Sequence, residues 1–230
     1  MKKSILSNPA FRYIFEVIVI VFSVTLSFYI QDVLNKREKN DLKDESLRGV
    51  LNDLKRDKEF WGGGVNRIEN VIKSIDSIHD KNAGINAHTI HNSTRNYLGF
   101  VGSDRNYNSM VSTGAIEFIK NKELQELINL YYDMYYSLLI DASEQDEKVY
   151  NEISKHLTTK YTTEDLKRGS NGFFRYVYSE GDYKKIQKDG VLKNLLFDKK
   201  YNNTWYIRVM KGTLDRSNEL EELINQELNN

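Results

Sequence analysis

Residues 14–30 read IFEVIVIVFSVTLSFYI, a long apolar run that contains one charged residue, Glu16. With the residues that flank it, this run reaches the roughly 20 residues that an α-helix needs to cross a bilayer. We therefore predict a transmembrane helix over residues 13–34, preceded by an N-terminal tail over residues 1–12.

A cleaved signal peptide is the alternative explanation of this run. The run is long for the apolar part of a signal peptide, and the chain continues QDVLNKREKN from Gln31 without a small-x-small cleavage site. Three basic residues lie close before the span and five lie close after it. Under the positive-inside rule this bias favours a single pass through a bacterial inner membrane, with the following domain in the cytoplasm.

Polar side chains of the predicted span share one helix face. At about 100° per residue, the stripe falls within about 80° of the helix circumference; its members are Glu16, Ile20, Ser23, Ser27 and Gln31. A carboxylate is costly in hydrocarbon, and small residues four apart let helices approach closely. The stripe therefore predicts a homo-oligomer in the lipid bilayer, with these five as pore-lining residues. A plain anchor is the alternative, because Glu16 could snorkel and serines could bond to carbonyls of their own helix.

The chain beyond the span has helical periodicity, and the predicted fold class is all-α. Apolar residues at Leu47, Val50, Leu51 and Leu54 follow the i, i+3, i+4, i+7 spacing of an amphipathic helix. We assign residues 35–61 to a stalk helix, which is either a coiled coil or a helix packed on its own domain. The single proline, Pro9, suits long uninterrupted helices.

A helical soluble domain is predicted over residues 62–230. The sequence FWGGG at residues 60–64 predicts a turn before it, because consecutive glycines are poor helix formers. Further periodicity predicts a helix over residues 65–79, a loop over 80–93, a long helix from Lys122 to about Tyr161, and a last helix over 204–227.

Charge is unevenly distributed in a chain with 33 basic and 33 acidic residues. Residues 123–152 have a net charge of −7, whereas residues 166–211 contain eleven basic and four acidic residues among many aromatic ones. Lysine and arginine bind phosphates and aromatic rings stack on bases, so this segment predicts binding of a single-stranded oligonucleotide. The predicted ligand-binding residues are Arg168, Phe173, Phe174, Arg175, Tyr176, Lys184, Lys185, Lys199, Lys200, Trp205 and Arg208. The segment could instead dock on the acidic helix, of the same or a neighbouring subunit, or on anionic lipid headgroups.

Enzyme signatures do not occur in the sequence. There is no cysteine, and no HExxH, GxSxG or GxGxxG motif. The pair His88 and His91 has no third ligand close in sequence to complete a metal site. We predict a protein that is not an enzyme, with no catalytic residues, no metal and no cofactor.

Two stretches of the chain resemble an uncharacterised bacterial family of single-pass membrane proteins with a domain of unknown function. One is the span with the LNDLKRD sequence that follows it, and the other is SMVSTGAIEFIKNKELQELINLYY. The family's pattern of a small-residue turn, an apolar pair, an asparagine and a Tyr-Tyr helix end corresponds here to residues 112–114, Phe118 with Ile119, Asn121, and Tyr131 with Tyr132. The family's glycine in the anchor is absent, and Ser23 lies near its place, which leaves the closeness of helix packing open. The resemblance implies a related fold and no known activity.

In architecture the chain is also similar to the channel effector of the bacterial antiphage defence system called Hailong. In that system a nucleotidyltransferase partner makes an oligonucleotide that controls the channel. The resemblance implies an oligomeric membrane channel or membrane-disrupting effector gated by an oligonucleotide, with a nucleotidyltransferase encoded nearby. The alternative is a membrane-tethered scaffold that recruits a protein partner.

Overall fold

One helix, α1, runs from Pro9 to His79 and organises the whole molecule. The structure is a computed structural model that describes the backbone of residues 9–80, 86–168 and 174–229, and the side chains from residue 13 onward in these ranges, except that of Phe174. Pro9 is the first residue of this 71-residue helix and no proline follows it, so no proline forces a break, and none occurs.

The two halves of α1 differ in their surroundings. Every side chain from Tyr13 to Asp41 is exposed, over a length of about 43 Å at about 1.5 Å per residue. This half is long and apolar enough to cross a membrane. From Leu42 onward the helix packs into the domain, with Leu47, Val50 and Leu54 almost fully buried. The part of α1 assigned to a stalk is therefore mostly a helix packed on its own domain.

The turn predicted at residues 60–64 is wrong, because α1 continues through all three glycines. Trp61 is fully buried and stacks on Phe100 with ring centroids 5.5 Å apart, which anchors this part of the helix in the core. Gly64 lies at a close approach, since a Cβ there would come within 2.7 Å of Leu98 Cδ2 and 3.2 Å of Met210 Sδ. Tertiary packing therefore offsets the helix propensity that the glycines lack, about 1 kcal/mol for each.

The remaining elements are short helices, one long interrupted helix and a terminal helix. Helices α2 (Ala87–Thr94) and α3 (Arg105–Ser112) lead through a 3₁₀ turn (Ala115–Phe118) to α4 (Lys122–Asn129), which continues through a π-helical segment (Leu130–Tyr135) into α5 (Tyr136–Lys160). Helices α6 (Glu180–Lys188) and α7 (Gly190–Leu228) complete the chain. The long helix from Lys122 is thus confirmed. The loop predicted over residues 80–93 is wrong for α2, and the last helix begins 14 residues earlier than predicted, because Asp189 caps it.

Three long helices enclose the core. Helix α7 runs antiparallel to α1, with ion pairs from Lys43 to Glu227 at one end and from Lys200 to Asp76 at the other. The segment α4–α5 lies against both. One apolar cluster includes Leu54, Tyr131 and Met210, and a second, at the end remote from the exposed apolar half, includes Ile75, Leu157 and Leu196.

A small antiparallel hairpin is the one feature outside the predicted helical pattern among the described residues. Strands β1 (Thr163–Arg168) and β2 (Phe174–Tyr178) pair with a register irregularity between Thr163 and Asp165. Leu166 is exposed on β1, whereas Tyr178 packs in the second apolar cluster. The mainly helical fold class is confirmed, with the hairpin as an addition.

Candidate ligand-binding surface

The stripe on the apolar half of α1 lies at the surface of the single chain. All five of its members, from Glu16 to Gln31, have exposed side chains. The Ser23 hydroxyl donates to the Val19 carbonyl at 2.7 Å, and the Ser27 hydroxyl donates to the Ser23 carbonyl at 2.8 Å. Gln31 donates through Nε2 to Asn35 Oδ1 at 2.9 Å. Local bonds therefore satisfy the serine hydroxyls within the helix, which leaves the small side chains free to serve as a packing surface.

The predicted ligand-binding residues do not form one site, because the structure separates them into three groups and one buried residue. One group lies along α7 (Lys200, Trp205 and Arg208), a second lies on α6 (Lys184 and Lys185), and a third lies on the hairpin (Arg168, Phe174, Arg175 and Tyr176). Phe173 lies outside the described residues.

Lys199 is the buried residue, and its inclusion among surface ligand contacts is corrected. Its side chain is fully buried, and its Nζ lies 2.7 Å from Asp146 Oδ1, which also accepts a 2.8 Å bond from Asn203. Burial lowers the pKa of Lys199 and the Asp146 carboxylate opposes that effect. An ammonium committed in this way cannot meet a ligand at the surface. Lys199 therefore fits the alternative interpretation, in which the basic segment docks on the acidic helix of its own chain.

The α7 group lines a groove, which we call the aromatic groove. Its residues are Phe197, Lys200, Tyr201, Thr204, Trp205 and Arg208, around a cavity of about 450 Å³. They recur every three to four positions, so one helix face presents them all. Two rings are unusually open for a folded domain, since Phe197 is 49% exposed and Tyr201 is 77% exposed. Exposed rings that recur along a helix beside cations can stack planar ligands.

Neighbouring residues hold the ends of the aromatic groove in place. The Phe197 ring lies 4.4 Å from the His79 ring at the end of α1, and Lys193 Nζ lies 5.8 Å from the Phe197 centroid. Lys200 Nζ lies 2.5 Å from Asp76 Oδ1, and both side chains remain partly exposed. Trp205 packs on the main core on one side. Arg208 is exposed, with no ion pair among the described residues.

The α6 group lines a second cavity, which we call the lysine pocket. It has a volume of about 470 Å³, and its lining residues are Lys160, Tyr161, Asp182, Lys184, Lys185, Lys188, Asp189 and Gly190. Lys185 pairs with Asp182 at 2.9 Å. This pocket lies at the junction of α5, α6 and the start of α7.

The hairpin group is less concentrated. Arg168 is exposed and pairs in the β-ladder with Phe174. The Tyr176 ring is covered by the Arg95 guanidinium, whose Cζ lies 4.3 Å from the ring centroid, and it packs on the second apolar cluster. Tyr176 is therefore a structural residue as much as a contact residue.

Several residues of these sites are not among the predicted ligand-binding residues. Phe197 and Tyr201 carry the most exposed rings of the groove, and Lys160 and Lys188 complete the lysine pocket. Residues 197, 201, 204 and 208 are spaced three to four apart, which places them on one helix face. This signal would have predicted the groove if the last helix had been predicted to begin at Gly190. The contribution of Lys160 carries no local signal, because it comes from a different helix.

Comparisons with known proteins identify the family of the chain and give no activity for it. No curated protein and no solved structure matches it. Residues 17–183 match the family of unknown function DUF6090. The match starts inside the apolar half of α1 and ends inside α6, so the aromatic groove on α7 lies beyond it. The chain therefore belongs to the family of unknown function DUF6090.

Proposed function

We propose that this protein is a membrane-anchored, self-associating effector that binds a short single-stranded oligonucleotide in the aromatic groove. The observation that carries the proposal is the ladder of open rings on α7, Phe197, Tyr201 and the edge of Trp205, flanked by Lys200 and Arg208. Stacking on such rings tolerates any base. Arg208 would neutralise a backbone phosphate directly, and Lys200 would do so by exchanging its ion pair with Asp76 for a phosphate.

The position of the groove argues for a soluble ligand over lipid headgroups. At about 1.5 Å per residue, Asp76 beside the groove lies about 60 Å along α1 from Leu34 at the end of the proposed span. Headgroups extend only several ångströms beyond the hydrocarbon core. If residues 13–34 cross a bilayer, the groove is therefore out of reach of the same membrane.

The effector activity we propose is a channel or a disruption of the inner membrane, controlled by the bound oligonucleotide. Copies of the chain would pack through the stripe of Ser23 and Ser27, with Glu16, Ile20 and Gln31 toward a shared pathway. Control requires the ligand to favour one arrangement of the pore. The architectural similarity to antiphage effectors supports a defence setting, with the domain in the cytoplasm and a nucleotidyltransferase encoded nearby as the source of the ligand.

Binding of nucleic acid tests the sensing half of this proposal. The full chain in neutral-lipid nanodiscs is titrated with labelled DNA and RNA homopolymers over a salt series. We expect binding that weakens with salt, and a loss of about 5-fold to 150-fold in Tyr201→Ala, since one stacked base contributes about 1 to 3 kcal/mol. Arg208→Gln should lower the salt slope by about 1.

Lys148→Gln is the matched control, because Lys148 is exposed on the acidic helix α5 and lines neither cavity. Absence of binding at low salt, or an equal loss in Lys148→Gln and Tyr201→Ala, would refute oligonucleotide sensing in the groove.

A membrane-tethered scaffold is the second candidate, and the back-bonded serines favour it. Because the Ser23 and Ser27 hydroxyls are satisfied by their own helix, no partner is required in the bilayer. Ser23→Leu separates the two functions when compared with Thr25→Leu on the opposite face, whose hydroxyl also bonds locally. A channel predicts that only Ser23→Leu alters permeability of loaded vesicles, whereas a scaffold predicts that neither does.

A further inference from the structure

The lysine pocket carries more positive charge than its own residues neutralise. Four lysines line it, against the two carboxylates of Asp182 and Asp189. Lys185 is paired with Asp182 and Lys160 with Asp189, each at 2.9 Å. Lys184 and Lys188 have no ion pair or hydrogen bond within the described part of the chain.

The two unpaired lysines lie one turn apart on α6. Like charges at i and i+4 on a helix destabilise it unless an anion offsets them. Both side chains are exposed at the mouth of a cavity of about 470 Å³, which is large enough to admit more than a water molecule. An anion between them would relieve their repulsion.

The floor of the pocket is fixed and its negative charge is already committed. Asp189 Oδ2 lies 2.7 Å from both Tyr161 Oη and His156 Nε2, in addition to its pair with Lys160. Its Oδ1 accepts the backbone N–H groups of Val191 and Leu192. Burial alone would raise the pKa of Asp189, but these hydrogen bonds outweigh burial and hold the pKa well below its usual range. Asp189 occupies the first amides of α7, so anion binding in the pocket rests on the lysines.

Residues of the pocket and of the aromatic groove lie along the same face of α7. At about 100° per residue, Gly190, Lys193, Phe197, Tyr201 and Arg208 lie within about 80° of the helix circumference. Gly190 lines the pocket and is about 10 Å along the helix from Phe197 at the start of the groove. A strand stacked in the groove would reach the pocket with its end.

We propose that the lysine pocket binds the terminal phosphate or polyphosphate of the oligonucleotide that occupies the aromatic groove. This inference rests on the proposed function and adds the chemical state of the ligand's end. Flexible lysine ammonium groups suit a terminal phosphate that carries about two negative charges. An internal phosphodiester carries only one. The site would thus distinguish a strand with a phosphorylated end from one with a free hydroxyl.

The test compares oligonucleotides of one base sequence that differ only in the chemical group at one end. The full chain in nanodiscs is titrated with an oligonucleotide that carries a hydroxyl or a phosphate at its 5′ or 3′ end. We expect a preference of about tenfold or more for one phosphorylated end, since hydrogen bonds to charged groups are strong. Lys184→Gln with Lys188→Gln should bring both forms to the wild-type affinity for the hydroxyl form.

A control double variant removes the same net charge elsewhere, at the exposed residues Lys55 and Lys148, both to Gln. A wild-type protein without end preference, or a preference that the control variant also removes, would overturn the pocket while leaving the groove intact.

Inorganic pyrophosphate alone separates the failure of the pocket from the failure of the groove. If no oligonucleotide binds but pyrophosphate binds to wild type and not to the Lys184 and Lys188 variant, the pocket stands and the groove falls. If neither ligand binds, both fall.

Discussion

The two halves of α1 belong to one unbroken helix, yet they satisfy their apolar side chains in opposite ways. Before Asp41 the side chains are uniformly exposed, and after Leu42 they alternate between buried and exposed positions with the helical period. Ile18 is 58% exposed, whereas Ile68 is 1% exposed. The apolar side chains of the packed half are buried against α7 and α5. Those of the exposed half have no such cover within the described part of the chain, as expected of a helix that crosses a membrane.

The boundary between the halves is fixed by charge. Lys43 is buried and pairs with Glu227 at 3.1 Å, and the same Glu227 oxygen accepts the Lys120 backbone N–H at 3.1 Å. For Glu227, burial would raise the pKa, but these bonds keep it below its usual value. This contact joins α1, α7 and the turn before α4 at the point where α1 leaves the domain. The comparison shows that continuity of a helix does not imply continuity of its environment.

The largest expected effect is the loss of membrane association when charged residues are placed in the exposed half of α1. Val21→Arg with Val24→Arg should remove the chain from membranes, since two arginines near a helix centre cost about 5 to 7 kcal/mol. The domain should stay folded, because these side chains contact nothing in it. Carbonate-resistant membrane fraction and trypsin resistance measure the two properties.

Leu54→Arg is the converse variant, because Leu54 is 1% exposed in the core. It should abolish trypsin resistance and leave the chain membrane-bound. Loss of folding in the Val21 and Val24 variant would contradict the independence of the two halves.

A smaller effect is the pH dependence of stability that the buried carboxyl group of Asp57 gives to the packed half. Burial raises the pKa of Asp57 from its ordinary value of 3.8 to about 6, although Tyr136, Tyr131 and the Ser103 backbone N–H donate hydrogen bonds to it. Asp53, one turn away, raises it further. A raised carboxyl pKa means that the native state binds the proton more tightly than the unfolded state, so stability decreases as pH rises from about 4 to about 6.

Asp57→Asn removes this titration. The free energy of unfolding of the wild type relative to Asp57→Asn should therefore rise by about 2 kcal/mol as pH falls from 7 to 4. Denaturant unfolding of the full chain at several pH values measures the difference, and Asp215→Asn, at an exposed site, is the control. Parallel curves for wild type and Asp57→Asn would show that Asp57 does not titrate in this range.

The smallest effect distinguishes neighbouring glycines within the packed half. Gly63→Ala should stabilise the domain by about 0.5 to 1 kcal/mol, since a Cβ there meets nothing within 4 Å and alanine favours a helix. Gly64→Ala should destabilise it by about 1 to 3 kcal/mol, because the Cβ would force Leu98 and Met210 apart. Thermal unfolding should show shifts of opposite sign. Equal stabilisation by both would mean that Leu98 and Met210 leave room for a Cβ at Gly64.

The sequence by itself determined the apolar half of α1, the mainly helical class and the long helix from Lys122, because local periodicity and length encode them. It also identified the basic aromatic segment that supplies all residues of the aromatic groove and all but Lys160 and Tyr161 of the lysine pocket. Helix propensity misled at residues 60–64, where only the burial of Trp61 and the close contact at Gly64 keep the chain helical.

Only the tertiary structure decided which basic and aromatic residues act together. Lys199 and Lys200 are adjacent and chemically identical, yet α5 supplies Asp146 to bury the first, while the second stays beside the groove. Lys160 joins Lys184 and Lys188 across a gap in the sequence because α5 and α6 meet at the start of α7. Composition records which charges are present, whereas packing determines which of them are neutralised within the protein and which remain for a ligand.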